Sequence, residues 1–179
     1  MKLDWIKAPG LDLAIVPRPR GGDWLLDDLR SLKAAGIDVL VSLLTQAEAD
    51  ELGLSSEAPG CKEVGIQFLV FPIEDRSVPN SAAAFSKFAE QADLELKKHS
   101  AIGIHCRAGI GRSSLLAACL LAQHGYEPSA AFEAITQARG CSVPDTDEQR
   151  RWVERWIESS SVAGRSRDSD WTSRSRTPS

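Results

Sequence analysis

The sequence predicts an α/β fold with a central, mostly parallel sheet flanked by helices. Three observations predict it. Short apolar runs alternate with longer amphipathic ones along most of the chain. Two of the short runs, Asp38–Leu44 and Ala101–His105, are dominated by apolar residues, as strands covered on both faces are. Glycines, prolines and capping residues stand mostly between the runs. With 179 residues, 42% of them hydrophobic, the chain is long enough for one domain with a core and too short to expect two.

Taken in order, Leu11–Val16 reads as a strand that ends in the turn-rich stretch Pro17-Arg18-Pro19-Arg20-Gly21-Gly22. Asp23 is the expected N-cap of a helix to about Ala35, stopped by Gly36. Asp38–Leu44 is a buried strand, followed by a short helix from Gln46 to about Leu52. The segment 55–65 contains Pro59, Gly60 and Gly65 and is expected to be loop. Gln67–Phe71 is a strand, and 72–79 is a loop bracketed by Pro72 and Pro79. Phe85, Phe88, Ala92 and Leu96 recur at helical spacing, which predicts an amphipathic helix over 81–98. Ala101–His105 is a strand and 112–124 a helix apolar nearly all round, hence buried. Two more helices are expected at 128–138 and 147–159. Residues 1–159 make the domain. Residues 160–179, rich in Ser, Arg and Asp with no apolar period, are expected to be a disordered tail.

Composition limits the function classes. The formal net charge of −4 gives no global attraction to nucleic acid or an anionic membrane. No apolar run approaches the roughly 20 residues that span a bilayer. Lys2, Asp4 and Lys7 break the first ten residues, so no signal peptide is expected. Cys61, Cys106, Cys119 and Cys141 form no CxxC pair and no zinc-like cluster. The expectation is a reduced, cytoplasmic protein without metal or cofactor.

The chemistry concentrates in His105-Cys106-Arg107-Ala108-Gly109-Ile110-Gly111-Arg112-Ser113. A strand ends, a loop with two glycines follows, and a buried helix begins. A helix N-terminus offers free N–H groups and positive potential, which makes an anion site. Gly109 and Gly111 are expected at positive φ, letting the amides of 107–112 converge on one oxyanion. Arg112 adds a planar fork for two phosphate oxygens. The same field favours the thiolate of Cys106, which is the nucleophilic form. Ser113 is placed to hydrogen-bond the sulfur. His105 is expected to order the loop rather than act as a base. Arg107 either faces outward, favouring a second anion, or is simply solvated. Cys61, Cys119 and Cys141 carry the ordinary reading of small apolar residues, although Cys61 is also a candidate resolving partner for Cys106.

The segment His-Cys-x5-Arg-Ser resembles the signature of the protein tyrosine phosphatase superfamily, and the domain size resembles its dual-specificity branch. The resemblance extends over about Leu11 to Ile157. Pro72-Ile73-Glu74-Asp75, Leu115 to Leu121 and Asp145-Thr146-Asp147-Glu148-Gln149 resemble the cyclin-dependent kinase-associated phosphatase group and its bacterial relatives. The resemblance implies a dual-specificity-phosphatase-like fold. It also implies a phosphocysteine intermediate on Cys106, a general acid at Asp75 with Glu74 as competitor, and a water-orienting Gln149. The substrate implied is a phosphorylated protein, especially one containing phosphotyrosine. A phosphoinositide phosphatase is the alternative within the superfamily, because Arg107 supplies an extra basic residue in the loop. A rhodanese-like sulfurtransferase and a non-catalytic phosphate-binding module are the alternatives of other classes.

Overall fold

A computed structural model describes residues 2–171, with side chains through Ser160. Its centre is a five-stranded sheet in the order β1-β2-β5-β3-β4. The strands are β1 Asp4–Trp5, β2 Leu13–Ile15, β3 Val39–Ser42, β4 Gln67–Val70 and β5 Ile102–His105. Around them lie α1 Leu25–Ala34, α2 Gln46–Glu51, α3 Glu57–Val64, α4 Ala82–Lys97, α5 Arg112–Gln123, α6 Pro128–Arg139 and α7 Asp147–Trp171. β1 pairs antiparallel with β2, and the other neighbours are parallel. The architecture is the expected α/β sheet with one added edge strand. At two residues, β1 is too short to show a period in sequence.

The strands are covered on both faces. Leu13 and Ile15 of β2 join a core with α4, α5, α6 and α7, while Ala14 and Val16 join a second core with α1 and α3. Alternate residues therefore pack into different layers, which is why the runs look continuously apolar. α5 is central to the first core: every residue from Arg112 to Leu121 is buried. Fully buried leucines such as Leu115, Leu116 and Leu120 each contribute about 1.5–3 kcal/mol relative to exposure.

Three expectations are corrected. The segment 55–65 is not loop: α3 occupies Glu57–Val64. Pro59 falls in the first turn, where its missing N–H has no intrahelical role. Gly60 faces α1 so closely that a Cβ there would stand 2.8 Å from Leu29 Cδ1. The two residues that looked like helix breakers thus start the helix and let it pack. Asp23 does not cap α1; it lies in a 3-10 turn, Gly22–Trp24, and α1 begins at Leu25. The acidic residue anchoring this corner is buried Asp28, which accepts from the backbone and guanidinium of Arg20 at 2.7–3.0 Å. Finally, α7 continues past Ser159 to Trp171. The expected tail, 160–179, falls almost entirely beyond the described side chains, and 172–179 lie outside the described residues.

The parallel register places the site. Ser42 stands opposite both Val70 and His105, so β3, β4 and β5 end together. The loops leaving them meet outside the carboxyl edge of the sheet, where open α/β folds bind ligands.

Candidate active site

β5 delivers His105 to the sheet edge, residues 106–111 form a loop, and α5 starts at Arg112 with Gly111 as its N-cap. Gly109 has φ 69, the left-handed value expected of it. Its N–H donates to Cys106 Sγ at 3.2 Å. The matching expectation for Gly111 is corrected: its φ is −82. Glycine is needed there for space, because a Cβ would stand 2.7 Å from both Asp145 Oδ2 and Gln149 Oε1. Cys106 is 3% exposed at the base of this loop. Ala108 is exposed, and Ile110 is partly buried against the first core.

Arg112 is the largest fully buried side chain of the described residues. Its Nη1 donates to Glu48 Oε2 at 2.7 Å and to the Ile73 carbonyl at 2.8 Å. Its Nη2 donates to Glu48 Oε1 at 2.9 Å and to Asp75 Oδ1 at 2.9 Å. Burial works against the charge on Arg112, but the Glu48 hydrogen bonds and the charges of Cys106, Glu48 and Asp75 outweigh it and raise its pKa. The guanidinium therefore stays charged and is fixed in one plane.

Glu48 makes that fixation and was not singled out in the sequence. It is the third residue of α2, and its carboxylate also accepts from the Thr45 N–H at 3.0 Å while Thr45 Oγ1 accepts from the Glu48 N–H. This is a capping box. Burial pushes the Glu48 carboxyl up, yet Arg112 and Thr45 together hold it below the usual carboxylate range. The pattern Thr45-Gln46-Ala47-Glu48 was a readable signal for the cap, though not for Arg112 as its second partner.

The supporting residues divide. Asp75 reaches Arg112 with a side chain 56% exposed, whereas Glu74 has no ion pair among the described residues. Between them and Pro79, Arg76 holds φ 57, unusual for a residue with a side chain. Gln149 is buried; its amide donates to the Ser77 carbonyl at 3.0 Å, and its Oε1 has no protein partner. It bridges the acid loop to the cysteine loop at Gly111. Ser113 Oγ is buried without a hydrogen-bond partner, so the expected bond to sulfur is not formed; the Gly109 N–H occupies that role.

Arg107 is exposed, as both expectations had it, and carries a surface partner that neither foresaw. It is held by Glu51 of α2 through two contacts, 2.7 and 3.2 Å. His105 is also corrected: its ring makes no hydrogen bond to the loop and instead lies 3.0 Å from Glu57 Oε1 of α3, at an angle poor for hydrogen bonding, with both side chains buried. Cys61 packs in the second core, on the far face of the sheet from the core that includes Cys106. Burial, and then Glu57, push its thiol up to about 12, which makes it a poor resolving partner. Arg139, also unforeseen, donates from the last turn of α6 to the Ala108 carbonyl at 3.3 Å and pairs with Asp4 of β1. Among the described residues, no group of His, Cys, Asp and Glu could hold a metal ion.

The family model described as "Polymorphic toxin system, DSP-PTPase phosphatase" matches residues 16–126. Human cyclin-dependent kinase inhibitor 3 is 28% identical over 151 residues, covering 83% of this chain and 71% of that protein. The crystal structure of kinase-associated phosphatase with its catalytic-site cysteine changed to serine superposes with a TM-score of 0.78 at 22% identity, covering 89% of this chain and 95% of that one. That of PTPMT1 in complex with PI(5)P superposes with a TM-score of 0.71 at 19% identity, covering 85% and 94%. At these identities both structures show a shared fold.

Proposed function

The chain belongs to the DSP-PTPase phosphatase family, and from that premise we propose that it is a cysteine-dependent protein phosphatase that acts on phosphotyrosine above all. One observation carries the reading. Arg112, buried and held in plane by both oxygens of Glu48, heads the helix whose loop turns the Gly109 N–H onto Cys106 Sγ.

In this reading Cys106 attacks as the thiolate. Its sulfur forms a bond to phosphorus while the bond from phosphorus to the ester oxygen breaks. Arg112 and the loop amides hold the phosphoryl oxygens and stabilise the charge spread over them. The incoming phosphoryl group takes Nη2 of Arg112 from Asp75. The released Asp75 carboxylate takes up a proton from solvent and gives it to the leaving oxygen. Water then attacks phosphorus, the sulfur–phosphorus bond breaks, and the carboxylate of Asp75 takes the proton of the water. Gln149 Oε1, buried and unpartnered beside Gly111, accepts from that water and aims it. The products are the alcohol or phenol and inorganic phosphate.

The lipid reading rested on Arg107 as a spare cation, and Arg107 is engaged by Glu51; this supports a protein substrate. Among the described residues no helix is long and apolar enough to cross a membrane. All four cysteines are free thiols; a reducing, cytoplasmic setting is part of the proposal.

The test is a panel with the purified full chain in the presence of a chelator: phosphotyrosine, phosphoserine and phosphothreonine peptides, a phosphoinositide in mixed micelles, and thiosulfate. Phosphate release fastest from phosphotyrosine peptides is expected. A clear preference for the phosphoinositide overturns the substrate class. Sulfur transfer without phosphate release overturns the reaction, and so does a peptide that binds without turnover.

A further inference from the structure

The Ala108 carbonyl and the Gly109 N–H belong to one peptide unit. A trans peptide is planar, so its C=O and N–H point in opposite directions. Outside the loop, that carbonyl accepts from Arg139 Nη2 at 3.3 Å. Inside it, the same unit's N–H donates to Cys106 Sγ at 3.2 Å. Arg139 is itself held from behind: its Nη1 is paired with Asp4, a residue 8% exposed on β1. The guanidinium lies against Gly109, where a Cβ would meet Arg139 Nη2 at 3.4 Å and Ile15 Cγ2 at 3.2 Å.

This peptide needs holding. Rotating it turns on ψ of residue 108 and φ of residue 109, and a glycine at 109 leaves that rotation with little steric resistance. In the rotated state a carbonyl oxygen, with its partial negative charge, faces the sulfur in place of a donor. A hydrogen bond from N–H to thiolate is charge-assisted and favours the reactive form. A donor pulling the carbonyl outward selects the orientation in which the N–H points in.

We propose that Arg139 is a positioning residue, which, anchored by Asp4, orients the 108–109 peptide so that the Gly109 N–H faces the Cys106 sulfur. The edge strand β1 thereby supports the nucleophile without touching it. The inference rests on the reading of Cys106 as nucleophile. It goes further by naming the group, distant in sequence, that keeps the loop in its working form.

The test uses the full chain, uniformly labelled with nitrogen-15, as the parent and as Arg139→Met and Asp4→Asn. Two quantities are read, neither of which requires turnover. One is the proton shift and hydrogen exchange of the Gly109 amide. The other is the rate at which neutral iodoacetamide alkylates Cys106 at neutral pH, followed on the Cys106 peptide so that exposed Cys141 does not interfere. In Arg139→Met, alkylation is expected to slow by at least about threefold as the Gly109 amide loses its hydrogen-bonded shift and exchanges faster. Asp4→Asn should move both in the same direction by less, and it carries the test if Arg139→Met does not fold. Unchanged alkylation and an unchanged Gly109 amide in the folded variants overturn the proposal. Slower alkylation with an unmoved Gly109 amide overturns it too, since the effect would then be one of charge alone. A parent that hydrolyses no phosphate ester counts against the proposed function and leaves these two readouts standing.

Discussion

Asp75 Oδ1 lies 2.9 Å from Arg112 Nη2, so the carboxylate proposed as the acid is bound to the guanidinium proposed as the phosphate clamp. The two cannot both use that contact once a phosphoryl group is present. On the proposed mechanism, substrate binding and release of the acid are one event, and the exposed side of Asp75 gives it room to swing.

Asp75→Asn should separate these roles. Loss of the acid slows substrates with poor leaving groups most and an activated aryl phosphate much less, because a stable leaving anion needs no proton. The same change removes the charged competitor at Nη2. Vanadate binding should tighten by up to about fivefold, the worth of about 1 kcal/mol for a half-exposed pair. Glu74→Gln should change neither. Measuring kcat/KM with both ester types, together with vanadate inhibition, decides; a larger loss from Glu74→Gln than from Asp75→Asn would assign the acid to the wrong carboxylate.

Glu48→Gln should destabilise the fold and weaken the clamp. It leaves a buried guanidinium short of its main counter-charge, a loss of about 3 kcal/mol, or a Tm lower by about 6–12 °C in a domain of this size. The pH dependence has a definite sign. The Glu48 carboxyl is held below its ordinary range in the folded chain. Its contribution is thus fully present above about pH 4.3 and is lost as pH falls through the lowered folded value. Glutamine does not titrate. The Tm gap between parent and variant should be widest near neutrality and close on acidification; a gap that widens in acid contradicts the assignment.

Arg112→Lys keeps the charge but loses the fork that meets Glu48 and two phosphoryl oxygens together. kcat/KM should fall at least about tenfold, or about 1.4 kcal/mol of transition-state stabilisation. Near-parental kcat/KM in steady-state assays would count against the clamp.

Gln149→Ala should slow the second chemical step. With an activated aryl phosphate, rapid mixing should show a burst of phenol close to one equivalent of enzyme, followed by a slow steady state, because the phosphocysteine accumulates. If kcat is unchanged and no burst appears, Gln149 is only a link between Ser77 and the cysteine loop.

What could be read from sequence was what is local. β3 and β5 were legible because both faces are buried and the residues before their last, Ser42 and His105, carry no polar side chain. The cysteine loop was legible because its strand, glycines, arginine and helix are contiguous. α3 was not, since Pro59 and Gly60 read as breakers until their places in the first turn and against Leu29 are known. Glu48, Glu51 and Arg139 were missed for a common reason. Each acts through a partner far along the chain, Arg112, Arg107 or the Ala108 carbonyl, and only the folded packing of helices and strands brings each pair together. His105 was misassigned because its neighbour in space is Glu57, not the loop that follows it.

The central claim is that Cys106 is the nucleophile in a loop whose anion site stands without it. Cys106→Ser tests it most directly, with steady-state turnover of a phosphotyrosine peptide and equilibrium binding of the same peptide measured on one preparation. The hydroxyl of serine does not ionise near neutral pH, while Arg112, Glu48 and the loop amides remain. The predicted result is no measurable turnover with peptide binding retained; substantial turnover in the serine variant would contradict the account.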